Sequence, residues 1–140
     1  MKTTIFATLL FCLTLAAVGQ ASAQTSRFHG HWTNVDLNTS GLAALDIKVN
    51  GLDVDVKAWG NCTLHPCDVG STDAHIYAPS ADDGLKTKAS ALTVHYKESF
   101  ANRLLVIEPR GTQLSVTMFT HFTDGSHRTN YVERGLFKRQ

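Results

Sequence analysis

The strongest constraint on this chain is a two-residue alternation of apolar and polar side chains, repeated between short turn signals. Leu45, Ile47 and Val49 interleave with Asp46 and Lys48, Asn50-Gly51 follows, and Leu52, Val54 and Val56 interleave with Asp53, Asp55 and Lys57. A period of two puts every apolar side chain of such a segment on one face of a strand, whereas a helix would scatter them around its axis. Asn50-Gly51 is a strong hairpin signal, because both residues tolerate the positive φ of a type I′ turn. The three aspartates oppose the apolar set and read as solvent-facing charges.

The same rhythm continues along the chain. Leu92, Val94 and Tyr96 alternate with Thr93, His95 and Lys97, and Leu104 to Ile107 reads as a strand buried on both faces. Pro109-Arg110-Gly111 supplies a turn before the alternation of Leu114, Val116 and Met118. Asp124-Gly125 marks a further hairpin before the final strand. Eight strands are predicted, at about 28–36, 42–49, 52–59, 72–78, 88–97, 102–108, 112–121 and 127–137. No helical period is visible after the first residues. Short turns in succession make each strand pair with the next, and such a meander closes when the last strand meets the first. The expected fold is therefore all-β, an eight-stranded antiparallel up-and-down barrel, with a β-sandwich as the alternative. The longest irregular stretches are expected near 60–71 and 79–86.

Residues 1–23 have the form of a signal peptide. Lys2 supplies a positive start, Ile5 to Val18 is almost wholly apolar, and Ala21-Ser22-Ala23 fits a small-x-small cleavage site. The apolar run is short for a bilayer, which takes about 20 residues. The expected product is a single domain over 24–140, secreted or periplasmic, with no membrane span in the mature chain. Without Lys2 the acidic and basic side chains balance, and no basic run marks a nucleic-acid surface. Cys12 falls within the leader, leaving Cys62 and Cys67. In an exported domain that pair favours a disulfide closing a tight loop. Zinc is the alternative, with only His65 and His75 near enough to assist.

Three motifs carry the functional expectations. Gly30-His31-Trp32-Thr33-Asn34 resembles the Gly-x-Trp-x-Asn opening of avidin and streptavidin, themselves eight-stranded barrels. The resemblance implies a ligand contact for Asn34, which matches the asparagine that helps bind biotin's ureido group. The other aromatic positions that enclose biotin have no counterpart here, so the resemblance extends to the barrel and not to biotin. Gly-x-Trp is also a lipocalin feature, implying that Trp32 plugs a barrel base. Second, Trp59-Gly60-Asn61-Cys62, Cys67-Asp68-Val69-Gly70 and Phe122-Thr123-Asp124-Gly125-Ser126 together resemble small secreted bacterial β-barrel domains of unknown function. That resemblance spans most of residues 28 to 137, and Val69 stands where the group carries Trp. It implies export and a barrel, and no reaction.

The third motif is the cysteine segment itself. Gly60, Pro66, Gly70 and a disulfide would make a rigid loop, suited to recognition because little entropy is lost on binding. Trp32, Asn34, Trp59 and Asp68 are thus the candidate ligand-binding residues, at a mouth shared with the 60–70 loop. The plainer reading of Asp68 is a cap on loop amides. His29 and His31 share a face, and His121 and His127 flank the last hairpin, a placement that suits metal ligands; no third ligand is fixed, and neither metal nor cofactor is assigned. No Gly-x-Ser-x-Gly elbow, phosphate loop or His-Glu-x-x-His pair is present, and no catalytic residue is assigned. The leading expectation is a module binding a small apolar or amphipathic ligand. A protein-interaction or inhibitor domain with an exported partner is the second, and an isomerase- or cyclase-type barrel enzyme the third.

Overall fold

A computed structural model describes residues 24–62 and 65–140. The predicted leader and Cys12 lie outside these residues. Eight strands form one closed antiparallel barrel in chain order: β1 (Gly30–Asn34), β2 (Leu42–Asn50), β3 (Asp53–Asn61), β4 (Pro66–Tyr77), β5 (Ala91–Lys97), β6 (Ala101–Arg110), β7 (Gln113–Phe122) and β8 (Tyr131–Arg139). Closure comes from β8 pairing with β1, where Phe137 faces Asn34 and Arg139 faces Trp32. The barrel is the expected fold, and a sandwich is not favoured.

Alternation translates directly into burial. Leu45 and Ile47 on β2, Val54 and Val56 on β3, Leu92 and Val94 on β5, and Leu114 and Val116 on β7 all face inward and are buried. Each fully buried side chain of this size contributes roughly 1.5–3 kcal/mol. The interior is therefore packed along most of its length. Leu104 to Ile107 departs from the expectation of a strand buried on both faces: only Leu105 and Ile107 are buried, while Leu104 and Val106 lie half-buried on the outer wall. An antiparallel barrel buries one face of each strand, so the outer residues of an apolar run gain only lateral cover.

Turn registers differ from the sequence reading in an instructive way. Asn50 pairs with Asp53, so the hairpin turn is Gly51-Leu52 and not Asn50-Gly51. Only the first central residue has positive φ, 65° at Gly51, which matches a II′-like turn rather than type I′. Leu52 leaves the apolar face and is 52% exposed. Gly111, at φ 63°, serves in the same way between Arg110 and Gln113. Likewise β8 starts at Tyr131 instead of near 127, because Asn130 accepts a hydrogen bond from the Phe122 amide and closes a longer loop.

Of the two stretches expected to be irregular, 60–71 is mostly strand in its described residues, whereas 79–83 is turn and bend as expected. β3 and β4 extend to Asn61 and from Pro66, so the cysteines lie at the tip of one long hairpin, joined by a disulfide as expected. A bulge between Ala58 and Trp59 offsets this hairpin, and the β4–β5 ladder runs from Ala74 to Tyr77. Tyr96 braces the region from inside: its hydroxyl donates to the Val56 carbonyl at 2.7 Å. Burial pushes that phenol well above its ordinary range, with Asp55 and Asp68 adding to the effect. The 79–86 stretch carries the start of a one-turn helix, α1 (Leu85–Lys88), and a 3-10 turn spans Gln24–Arg27.

These two short turns lie against each other at one end, here called the base. Phe28 and Thr25 are fully buried there, and Trp32 donates from Nε1 to the Phe28 carbonyl at 2.8 Å. Arg139 covers the Trp32 ring with its guanidinium 4.7 Å from the centroid and donates to the Arg27 carbonyl. The opposite end, the mouth, is framed by the loops at 35–41, 98–100 and 123–130 and by the Cys62–Cys67 disulfide.

Candidate functional site

The four predicted ligand residues do not share one mouth. Trp32 is sealed in the base and is only 2% exposed. Asn34 points inward near the mouth, but both ends of its amide are engaged: Nδ2 donates to the Leu42 carbonyl and Oδ1 accepts from the Asp36 amide. It fastens the β1–β2 loop across the barrel, and its Nδ2 would lie 3.0 Å from a Cβ at Gly135, which explains the glycine there. Trp59 and Asp68 face each other across β3 and β4 on the outer wall. Lys57 lies over the Trp59 ring at 5.1 Å and pairs with Asp68 at 3.1 Å. Asp68 also accepts from the Gly70 amide, which is the capping role.

A groove of about 410 Å³ does run along that outer wall, lined by His31, Thr33, Ala44, Trp59, Asn61 and Pro66 among others. Its polar groups mostly satisfy one another. His31 Nδ1 and Asp46 Oδ1 meet at 2.5 Å, Asn61 donates to the Thr39 carbonyl, Thr39 Oγ1 accepts from the Gly41 amide, and Thr33 Oγ1 accepts from Gln140. His29 lies at the base, where its Nδ1 accepts from the Val49 amide, whereas His121 and His127 lie at the mouth end. The four histidines are therefore not assembled. Among the described residues no group of three or more His, Cys, Asp or Glu side chains is placed to hold a metal ion.

The mouth is different. A chamber of about 350 Å³ opens between the disulfide, the β1–β2 loop and the ends of β6 and β8. Its lower wall is apolar, from Leu42, Val69 and Met118. Its upper part carries Glu98, Arg103 and Glu133, with Phe100 and Tyr131 at the rim. Arg103 has the inward parity of Leu105 and Ile107, and Glu133 that of Gly135 and Phe137, so both side chains are carried over the packed core. Arg103 Nε lies 3.0 Å from Glu98 Oε2, an ion pair that is not aligned as a hydrogen bond. Glu133 fits because Gly41 has no side chain: a Cβ there would fall 2.2 Å from Glu133 Oε1.

Buried polar atoms usually find partners, and those that do not need a reason. Here Glu133 Oε2 and Thr120 Oγ1 are buried with no hydrogen-bond partner among the described residues. Thr120 is 2% exposed and sits between Arg103 and Tyr131 in the strand register. Burial raises the Glu133 carboxyl above its ordinary range, and Arg103 draws it partly back. Over the rim, Arg128 stacks on Phe122 at 3.9 Å and pairs with Asp124 at 2.6 Å. Sequence reasoning missed Glu98, Arg103, Thr120 and Glu133. For Arg103, Thr120 and Glu133 the signal was parity, polar residues standing at inward positions of strands that otherwise alternate correctly; Glu98 lies in the β5–β6 loop, where no such pattern marks it.

Comparison of the chain with protein families, with curated proteins and with solved structures finds no match.

Proposed function

We propose that this chain is an exported binding barrel that takes a small amphipathic molecule into its mouth. One observation carries the reading: Glu133 Oε2, buried and without a hydrogen-bond partner among the described residues, lies at an open chamber of about 350 Å³ over an apolar wall. Leaving such a group unsatisfied costs about 1–3 kcal/mol, which a ligand that bonds it would recover. An apolar pocket with a few convergent polar groups is the usual form of a small-molecule site. The leader pattern and the Cys62–Cys67 disulfide support export. The sequence resemblance to small secreted bacterial barrels supports the same reading.

Nile red, uncharged and fluorescent in apolar surroundings, tests the site. It should bind one to one, and Gly41→Phe, which fills the chamber from its rim, should abolish the signal. Unchanged binding by that variant would place the dye elsewhere and remove the chamber from consideration. A second reading, recognition of an exported protein, is favoured by Leu37, which is 79% exposed beside the Trp59 groove. Leu37→Asp would then abolish capture of the partner while leaving the dye at the mouth.

A further inference from the structure

The charges of the chamber are not balanced, and the imbalance selects among ligands. Three carboxylates line it, from Asp68, Glu98 and Glu133, against the single guanidinium of Arg103. Two of the three are already compensated: Asp68 by Lys57 at 3.1 Å and Glu98 by Arg103 at 3.0 Å. Glu133 has no such ion pair among the described residues, and its Oε2 is buried without a hydrogen-bond partner. Thr120 Oγ1, 2% exposed and without a hydrogen-bond partner among the described residues, lies behind the chamber beside Arg103 in the strand register and does not line it.

The rim adds an independent preference. Aromatic faces carry negative potential and attract cations. The chain itself uses this property there, with Arg103 and Arg128 over the Phe100 ring at 5.7 and 5.5 Å. Arg128 is half exposed and belongs to the loop over the mouth, so it marks where an entering cation would first be held. Below the rim the wall formed by Leu42, Val69 and Met118 accepts only apolar surface.

We propose that the ligand's polar end is a cation, an ammonium or guanidinium on a small apolar body, with Glu133 as its counter-charge. This rests on the mouth being the ligand site. A carboxylate-headed ligand meets the unpaired Glu133 and is rejected. A neutral hydroxyl satisfies the same acceptor without gaining the charge interaction. Charge-assisted hydrogen bonds are about twice as strong as neutral ones.

The test is a calorimetric titration of the mature protein with three probes of one chain length: hexylamine, 1-hexanol and hexanoate. Hexylamine should bind roughly tenfold or more tightly than hexanol, and hexanoate most weakly. Glu133→Gln should remove the advantage of the amine over hexanol. Equal binding of all three probes, or a preference for hexanoate, would overturn the cation assignment while the ligand site stands. So would an amine preference that survives Glu133→Gln. Binding of none would overturn the site and this inference together. If Glu133→Gln does not fold, the ranking of the three probes on the unsubstituted protein decides alone.

Discussion

The two ends of this barrel solve the same problem in opposite ways. At the base, Phe28, Trp32 and Thr25 are buried, and the Trp32 indole has its hydrogen bond to the Phe28 carbonyl. Turns there are as short as Gly51-Leu52. At the mouth Glu133 and Thr120 are left with buried atoms that no group among the described residues satisfies. A barrel needs one end closed to exclude water from its core, and the other is then free to carry groups that do not help it fold. Stability and recognition are divided between the ends, so the same kind of substitution should act differently at each.

The largest effect belongs to the base. Phe28→Ala removes a fully buried ring and should destabilise the protein by about 3–5 kcal/mol in urea unfolding. A loss under about 1 kcal/mol, the range of ordinary surface changes, would show that the base is not a seal. An intermediate effect is expected from replacing both Cys62 and Cys67 by serine at the mouth. The bridge closes a short loop, with a sequence separation of 5, and such a loop gains about 2 kcal/mol from restricting the unfolded chain. A disulfide variant that loses more than Phe28→Ala would reverse the proposed division.

The smallest effect has a characteristic sign. Because burial raises the Glu133 carboxyl, the native state binds its proton more tightly than the unfolded chain does. Stability from this group is present below the ordinary glutamate range and declines as pH rises through the elevated value. Glu133→Gln should flatten that part of the pH–stability profile and leave the protein no less stable at neutral pH. Arg103 and Glu98 face the same chamber and remain in both proteins, so the difference between the two profiles isolates Glu133. A substitution that destabilises at neutral pH would mean that the carboxylate supports the fold.

How much of this was legible in the sequence follows from what each pattern encodes. Period-two alternation and the glycine turns specify strands, their faces and their order, and the barrel follows from them. Register was less legible: Gly51 acts as the first central residue of its turn, and pairing shifts accordingly. At the candidate site the motif residues are only partly brought together: Asn34 and Trp59 line one groove, Asp68 lines the mouth chamber, and Trp32 is sealed in the base. Trp32 and Asn34 share the inward parity, but sealing and loop-fastening consume them. Trp59 has the parity of Lys57 and Asp55, which puts it outside, and the motif obscured that simple count. Arg103, Thr120 and Glu133 looked unremarkable because a charged or polar residue in an alternating strand normally faces solvent. Only the inward parity of their strands, together with their place at the mouth, distinguishes them.

The division between the ends is tested most directly by mapping amide and indole NMR shifts as hexylamine is added. The chain has only two tryptophans, Trp32 at the base and Trp59 on the outer wall, so their indole signals report on the two places where the ligand should not go. Shifts at Arg103, Thr120 and Glu133 with both indoles unmoved are expected. Movement of the Trp32 or Trp59 indole with the mouth amides silent would contradict the assignment of recognition to the mouth.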